Sequence, residues 1–166
     1  MIDPAQLART FDAHAATLIL FARQWLGPSG AEDIVQDVFV NLMLQRRAPD
    51  NLKAWLFKAV RNAAISHARS ASRRGNREER HAVARPDWFE RSPEDLIDAG
   101  AAQRALESLA PEQREVIVMR IWGQMSLPEI AEVTGLAVST LFSRYRAGLN
   151  EIKRIMESSC QAKKTT

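Results

Sequence analysis

The chain has 166 residues, room for one compact domain or two small ones, and 46% of them are apolar, a proportion that excludes wholesale disorder. Its net charge is +3, and Cys160 is the single cysteine, so an internal disulfide and a cysteine-built zinc site are both excluded. No apolar run approaches the roughly 18–20 residues that span a bilayer, and the opening MIDPAQLARTFDAH has neither the basic start nor the cleavage site of a secretory signal.

Apolar residues recur at helical spacing along the chain and no period-two pattern does, so the expected fold is all-α. The first element runs from about Pro4 to Trp25, with Leu7, Phe11, Leu18 and Phe21 on one side, and GPSG (27–30) ends it. The second opens on Ser29 and Glu32, a capping-box pair. Its core stripe is Ile34, Val35, Val38, Phe39 and Leu42, and its outward side carries Asp33, Gln36 and Asp37. A third helix is expected from about Asn51 to Ser72. Leu52, Trp55, Leu56, Ala59, Val60 and Ala63 would face the core, with Lys53, Lys58, Arg61, Asn62 and Arg69 outside.

Charge is unevenly spread over these helices. Met1 to Gln45 holds two basic and five acidic residues, whereas Arg46 to Arg74 holds eight basic and one acidic. Two readings of that basic stretch stand side by side, a polyanion-binding surface and a solvated helix face.

Residues 1–72 therefore form a first domain, and 73–91 (RRGNREERHAVARPDWFER) read as a flexible linker in which Trp88 and Phe89 pack back onto a domain. Ser92 as N-cap and Pro93 restart a helix. Another begins at Ala110–Pro111, with Val116, Ile117, Met119 and Ile121 apolar. Ser126 and Glu129 form a second capping box, Ile130, Ala131 and Val133 face inward, and Gly135 supplies a sharp turn. The last helix starts near Ala137–Val138 with Val138, Leu141, Tyr145, Leu149 and Ile152 as its expected core stripe. The second domain is thus 92–157, a helix-turn-helix, and 158–166 are expected to form a disordered tail.

Opposite that last stripe lie Ser139, Phe142, Ser143 and Arg146. In a helix-turn-helix the second helix enters the major groove, where Arg146 would grip guanine or phosphate, Ser139 and Ser143 would donate to phosphate oxygens or base edges, and Phe142 would touch a thymine methyl. Helical hairpins with glycine turns also occur without a nucleic-acid role, and the hairpin alone leaves both readings open. Nothing points to catalysis. His14, His67 and His81 sit in separate segments, and metalloprotease, phosphate-loop and nucleophile-elbow motifs are missing. Asp33 and Asp37 share a face, which reads as solvated or docking rather than metal-binding, so no metal or cofactor is expected.

Three stretches, AEDIVQDVFVNLM, AWLFKAVRNAAISHAR and ALESLAPEQREVIVMRIWGQMSLPEIAEVTGLAVSTLFSRYRAGL, occur in that order between about Phe11 and Ile155. With them the chain resembles the small, two-domain extracytoplasmic-function type of bacterial RNA polymerase sigma factor, of the sigma-70 family. The resemblance implies a cytoplasmic, non-enzymatic initiation factor that binds core RNA polymerase through its β′ and β subunits and binds promoter DNA, with an anti-sigma protein as a further partner class. It implies that residues 1–72 act as sigma region 2 and 92–157 as region 4. Asp33, Gln36 and Asp37 would dock on polymerase. Lys53, Lys58, Arg61, Asn62, Arg69 and Arg73 would hold the melted minus-ten strand, with Arg74 and Arg77 extending the backbone contacts. Ser139, Thr140, Phe142, Ser143 and Arg146 would read the minus-thirty-five duplex. Many family members carry Lys at the position of Phe142 and Asp at that of Ser66, departures that leave the promoter sequence open. A stand-alone helix-turn-helix regulator and a helical protein-binding adaptor are the competing readings.

Overall fold

The computed structural model describes residues 3–75 and 103–164, all of whose regular elements are α-helices. The first three residues of the expected linker, 73–75, instead continue the third helix, which runs past Ser72 to Gly75. The rest of it, with Arg77, His81, Trp88 and Phe89, and the helix start at Ser92–Pro93 lie outside the described residues, as do the side chains of Arg74 and Cys160. The helices are α1 (Pro4–Ala22), α2 (Pro28–Met43), α3 (Leu52–Gly75), α4 (described over 103–108), α5 (Pro111–Ile121), α6 (Leu127–Thr134) and α7 (Val138–Lys164). Contacts divide the chain into two compact units, one built on α1–α3 and the other on α5 and α7.

In the first unit each helix packs on the other two. The Asp3 carboxylate accepts from the Gln6 amide at 3.3 Å, and Pro4 occupies the first turn of α1, where its missing N–H costs nothing. The start of α2 differs from the expected capping box. Gly27 is the N-cap, no side chain caps the helix, and the Ala31 amide bonds the Gly27 carbonyl at 2.9 Å. Pro28, preset at helical φ, opens the helix before Ser29 can cap it. Asn51 caps α3 by accepting from the Ala54 amide at 3.1 Å.

Aromatic rings join the three helices. Phe21 on α1 meets Phe57 on α3 edge to face at 5.1 Å and Trp25 at 5.3 Å, while Phe11 meets Phe39 on α2 at 4.9 Å. Leu18, Phe21, Val35, Leu42, Leu56, Phe57 and Val60 are fully buried. Each such side chain contributes on the order of 1.5–3 kcal/mol.

The core stripe of α3 holds the expected Leu56 and Val60 but otherwise differs from the one expected. Ala54, Leu56, Phe57, Val60 and Ala64 are buried, whereas Leu52, Trp55, Ala59 and Ala63 are half-exposed. The run LKAWLFKAV is apolar around much of its circumference, so spacing could not choose a face; the position of Phe21 does. Lys53 falls in line with Phe57, Val60 and Ala64 and is half-buried at the first turn. It lies near half-buried His14 of α1, whose pKa is lowered by burial and then by the Lys53 charge.

In the second unit Ala110 precedes Pro111 at the start of α5, as expected, and Val116 to Met119 are buried. The Arg114 guanidinium reaches back to the end of α4, donating to the carbonyls of Leu106 (2.7 Å), Glu107 (3.1 Å) and Leu109 (2.9 Å). One side chain thereby serves three carbonyls at a helix end, where backbone donors run out; of the three, Leu106 also accepts from the Leu109 amide at 3.3 Å. Burial lowers the pKa of this arginine, against the opposing pull of Glu107. Ser126 and Glu129 form the expected capping box on α6, with Ser126 N to Glu129 Oε2 at 2.7 Å and Glu129 N to Ser126 Oγ at 3.3 Å. Gly135 ends α6 at φ 74°, a left-handed turn that other residues adopt only under strain.

The inward side of α7 also departs from expectation. Leu141 and Gly148 are buried, Tyr145 and Ile152 are half-buried, and Val138 and Leu149 are 43% and 36% exposed. A Cβ added at Gly148 would stand 2.9 Å from Cγ1 and 3.3 Å from Cδ1 of Ile117, which is itself completely buried on α5. The helix continues to Lys164 instead of fraying from Ser158, supported by Arg154–Glu151 and Lys153–Glu157 pairs one turn apart.

Two expectations follow. Gly148→Val should lower the stability of the second unit by about 1–3 kcal/mol through overpacking, seen as a fall of several degrees in Tm by circular dichroism; an unchanged Tm would mean that α5 and α7 separate freely. Because His14 is held below its unfolded pKa, the unfolded chain takes up the proton first as pH falls. The stabilisation by neutral His14 is complete above about pH 7 and is lost downward through the ordinary histidine range. The urea midpoint of the parent chain should therefore drop more between pH 7.5 and 5.5 than that of His14→Gln, and parallel drops would count against this coupling.

Candidate functional site

Three exposed helix faces carry the residues singled out from sequence. On α2, Ala31, Val35, Val38, Phe39 and Leu42 turn into the core, which leaves Asp33, Gln36 and Asp37 exposed together. The same face continues in two residues that sequence reading passed over. Val40 and Leu44 follow Asp33 and Asp37 at helical spacing and are 54% and 75% exposed, with Met43 beside them at 51%. Their signal was available, since they stand out of register with the stripe ending in Leu42. An acidic and amide-bearing patch running into an apolar end suits a protein partner with a basic, partly apolar surface.

On α3, Lys58, Asn62, Arg69 and Arg73 are exposed and Arg61 is half-exposed. At about 100° per residue these five positions fall within one side of the helix. Arg73 Nε donates to the Arg69 carbonyl at 3.4 Å. Lys53 does not join them, because it lies on the buried side of the helix near His14. Trp55, expected in the core, is instead half-exposed, and its spacing of three and seven from Lys58 and Asn62 puts it at the border of the basic side. Cations with a flanking aromatic ring are the elements that hold a single strand, through phosphate charge and base stacking.

On α7 the separation is sharpest. Leu141 and Gly148, seven residues apart, define the buried line. Ser139, Phe142, Ser143 and Arg146 lie roughly opposite that line and all are exposed, with exposed Thr140 at one flank. The Ser143 hydroxyl donates to the Ser139 carbonyl at 3.1 Å, so its hydrogen is engaged and its oxygen is left to accept. The Arg146 guanidinium carbon lies 5.7 Å from the centroid of the Phe142 ring. This face occupies the first turns of the second helix after a tight turn, the place from which such helices meet base edges.

Among the described residues no group of histidine, cysteine, aspartate or glutamate has the arrangement of a metal site. No described helix is long and apolar enough to cross a membrane.

The family profile described as Sigma-70 region 2 matches residues 10–74, and that described as Sigma-70, region 4 matches residues 99–152. Together they span most of the chain. The RNA polymerase sigma-E factor of Streptomyces antibioticus is 35% identical over 69 residues, an alignment that covers 42% of this chain and 38% of that protein. The ECF RNA polymerase sigma factor SigK of Mycobacterium tuberculosis is 24% identical over 166 aligned residues, covering 95% of this chain and 89% of SigK. Among solved structures, the sigma factor RpoE of Bartonella quintana, in complex with the anti-sigma factor NepR, has the same fold. It superposes with a TM-score of 0.75 at 23% identity, over 94% of this chain and 98% of that one. CnrH, solved with the cytosolic domain of CnrY, superposes with a TM-score of 0.64 at 25% identity, over 94% and 90%.

Proposed function

The chain belongs to the extracytoplasmic-function group of the sigma-70 factors of RNA polymerase, and from that premise we propose that it directs core polymerase to a defined promoter class by holding melted minus-ten DNA and minus-thirty-five duplex. The observation that carries this reading is the exposed polar face of α7, set opposite its buried Leu141–Gly148 line in a capped helix-turn-helix. Under it, residues 1–72 work as region 2, residues 92–157 as region 4, and the segment between them as a tether. The factor supplies no chemistry of its own and works in the cytoplasm.

In this proposal Asp33, Gln36 and Asp37, extended by Val40 and Leu44, dock on the polymerase. Lys58, Arg61, Asn62, Arg69 and Arg73 neutralise the phosphates of the separated strand, and Trp55 is placed to stack on a base. Ser139, Thr140, Phe142, Ser143 and Arg146 meet the upstream duplex, where a bidentate arginine contact to guanine is worth about 1–3 kcal/mol of discrimination. Each contact is weak by itself; carrying both units in one chain raises the effective concentration of the second once the first has formed. The structural neighbours RpoE and CnrH, the first captured with an anti-sigma factor, support an inhibitor of that kind as a partner class here. The region 2 match weighs against a stand-alone regulator, which would need no such domain.

The test adds the purified chain to core polymerase and maps initiation on genomic DNA. Promoter-specific initiation is expected, and binding to duplex without any effect on core enzyme would favour the regulator. Arg146→Ala should reduce transcription from a matched promoter roughly 5- to 100-fold while leaving core binding intact; unchanged transcription would show that the recognition face lies elsewhere. Asp37→Arg should weaken co-purification with core polymerase at least about tenfold by charge reversal, and undiminished recovery would reject the α2 docking face.

A further inference from the structure

We propose that Phe142 is a positioning residue for Arg146, so that the pair, rather than the arginine alone, sets the sequence preference of α7. The proposal rests on the reading that this face meets duplex DNA. Phe142 lies one turn before Arg146, and the guanidinium carbon stands 5.7 Å from the ring centroid, within the range of a cation–π contact. The ring is no part of the core, for it is 49% exposed while the neighbouring Leu141 is fully buried.

An exposed arginine ordinarily samples many rotamers and loses that freedom on binding. A cation–π contact limits the sampling beforehand, and because the ring offers no hydrogen-bond acceptor it leaves the N–H donors at the edge of the guanidinium available. Those edge donors match the O6 and N7 acceptors of guanine in the major groove. The uncovered part of the ring is apolar and suits a thymine methyl group. Next to the pair, Ser143 has its hydrogen engaged by the Ser139 carbonyl and offers only an acceptor oxygen. The ligand class is therefore a duplex step that sets a thymine methyl beside a guanine.

The experiment is a double-mutant cycle on the chain assembled with core polymerase, using selection from duplexes randomised across the upstream box and affinity for the selected sequence. Phe142→Leu should cost about three- to tenfold in affinity and relax the preference at the guanine position, whereas Phe142→Tyr and Phe142→Trp should retain both. In an Arg146→Ala background, Phe142→Leu should cost no more than about twofold. Additive losses, or Leu performing as well as Tyr and Trp, would overturn the pairing. If Arg146→Ala alone leaves affinity and selection unchanged, the reading of α7 as the duplex-binding helix fails, and the pairing with it. Phe142→Leu should keep the parent Tm, and a large loss of stability would also count against the proposal, because it would give the ring a structural task.

Discussion

The last helix, α7, lies where it does because α5 and α7 approach to the distance of a missing side chain. Ile117 fills the space that a Cβ on Gly148 would need, and this approach, with buried Leu141, fixes which side of α7 turns inward. With Gly148 and Leu141 held inward, helical periodicity leaves no choice about what faces out. Ser139, Phe142, Ser143 and Arg146 are then exposed together because of a constraint on the opposite side of the same helix. The make-up of this surface is in that sense a by-product of packing at the other.

The first unit solves a related problem with aromatic rings. Its third helix is apolar over so much of its surface that several faces could have been buried, and the edge-to-face contact of Phe21 with Phe57 selects one. That selection turns Trp55 out of the core toward Lys58 and Asn62, and draws Lys53 inward beside His14. One ring pair thus decides which cations form a continuous surface and which becomes part of the support. On α2 the stripe ending in Leu42 has the corresponding effect, presenting carboxylates at one end of a face and aliphatic side chains at the other.

Helix ends show how local chemistry and longer-range geometry divide the work. The capping box at Ser126 and Glu129 and the left-handed Gly135 are short-range devices, and both are legible as three- and four-residue patterns. The similar pattern at Ser29 and Glu32 does not cap, because Pro28 starts the helix one position earlier. Arg114 is a different kind of cap. It reaches five to eight residues back to three carbonyls, and no short motif announces it. Its planar fork spreads donors in a fixed arrangement over several acceptors, whereas an ammonium is a compact group on a flexible stem.

Much of this protein is determined by sequence alone. The all-helical class, the helix-turn-helix and the acidic face of α2 are carried by periodicity, turn residues and caps, which act over a few positions and need no partner to be read. Long ordered motifs likewise carry the family. What the tertiary structure alone decided is which side of each apolar helix is buried: the shift of α3 onto Phe57, the separation of Lys53 from the other cations, and the narrow Leu141–Gly148 line. Burial depends on what another helix offers at that height, and no pattern within one helix contains that information. The contact of Arg146 with the Phe142 ring belongs between the two, since a four-residue spacing permits it but only a ring left outside the core lets it form.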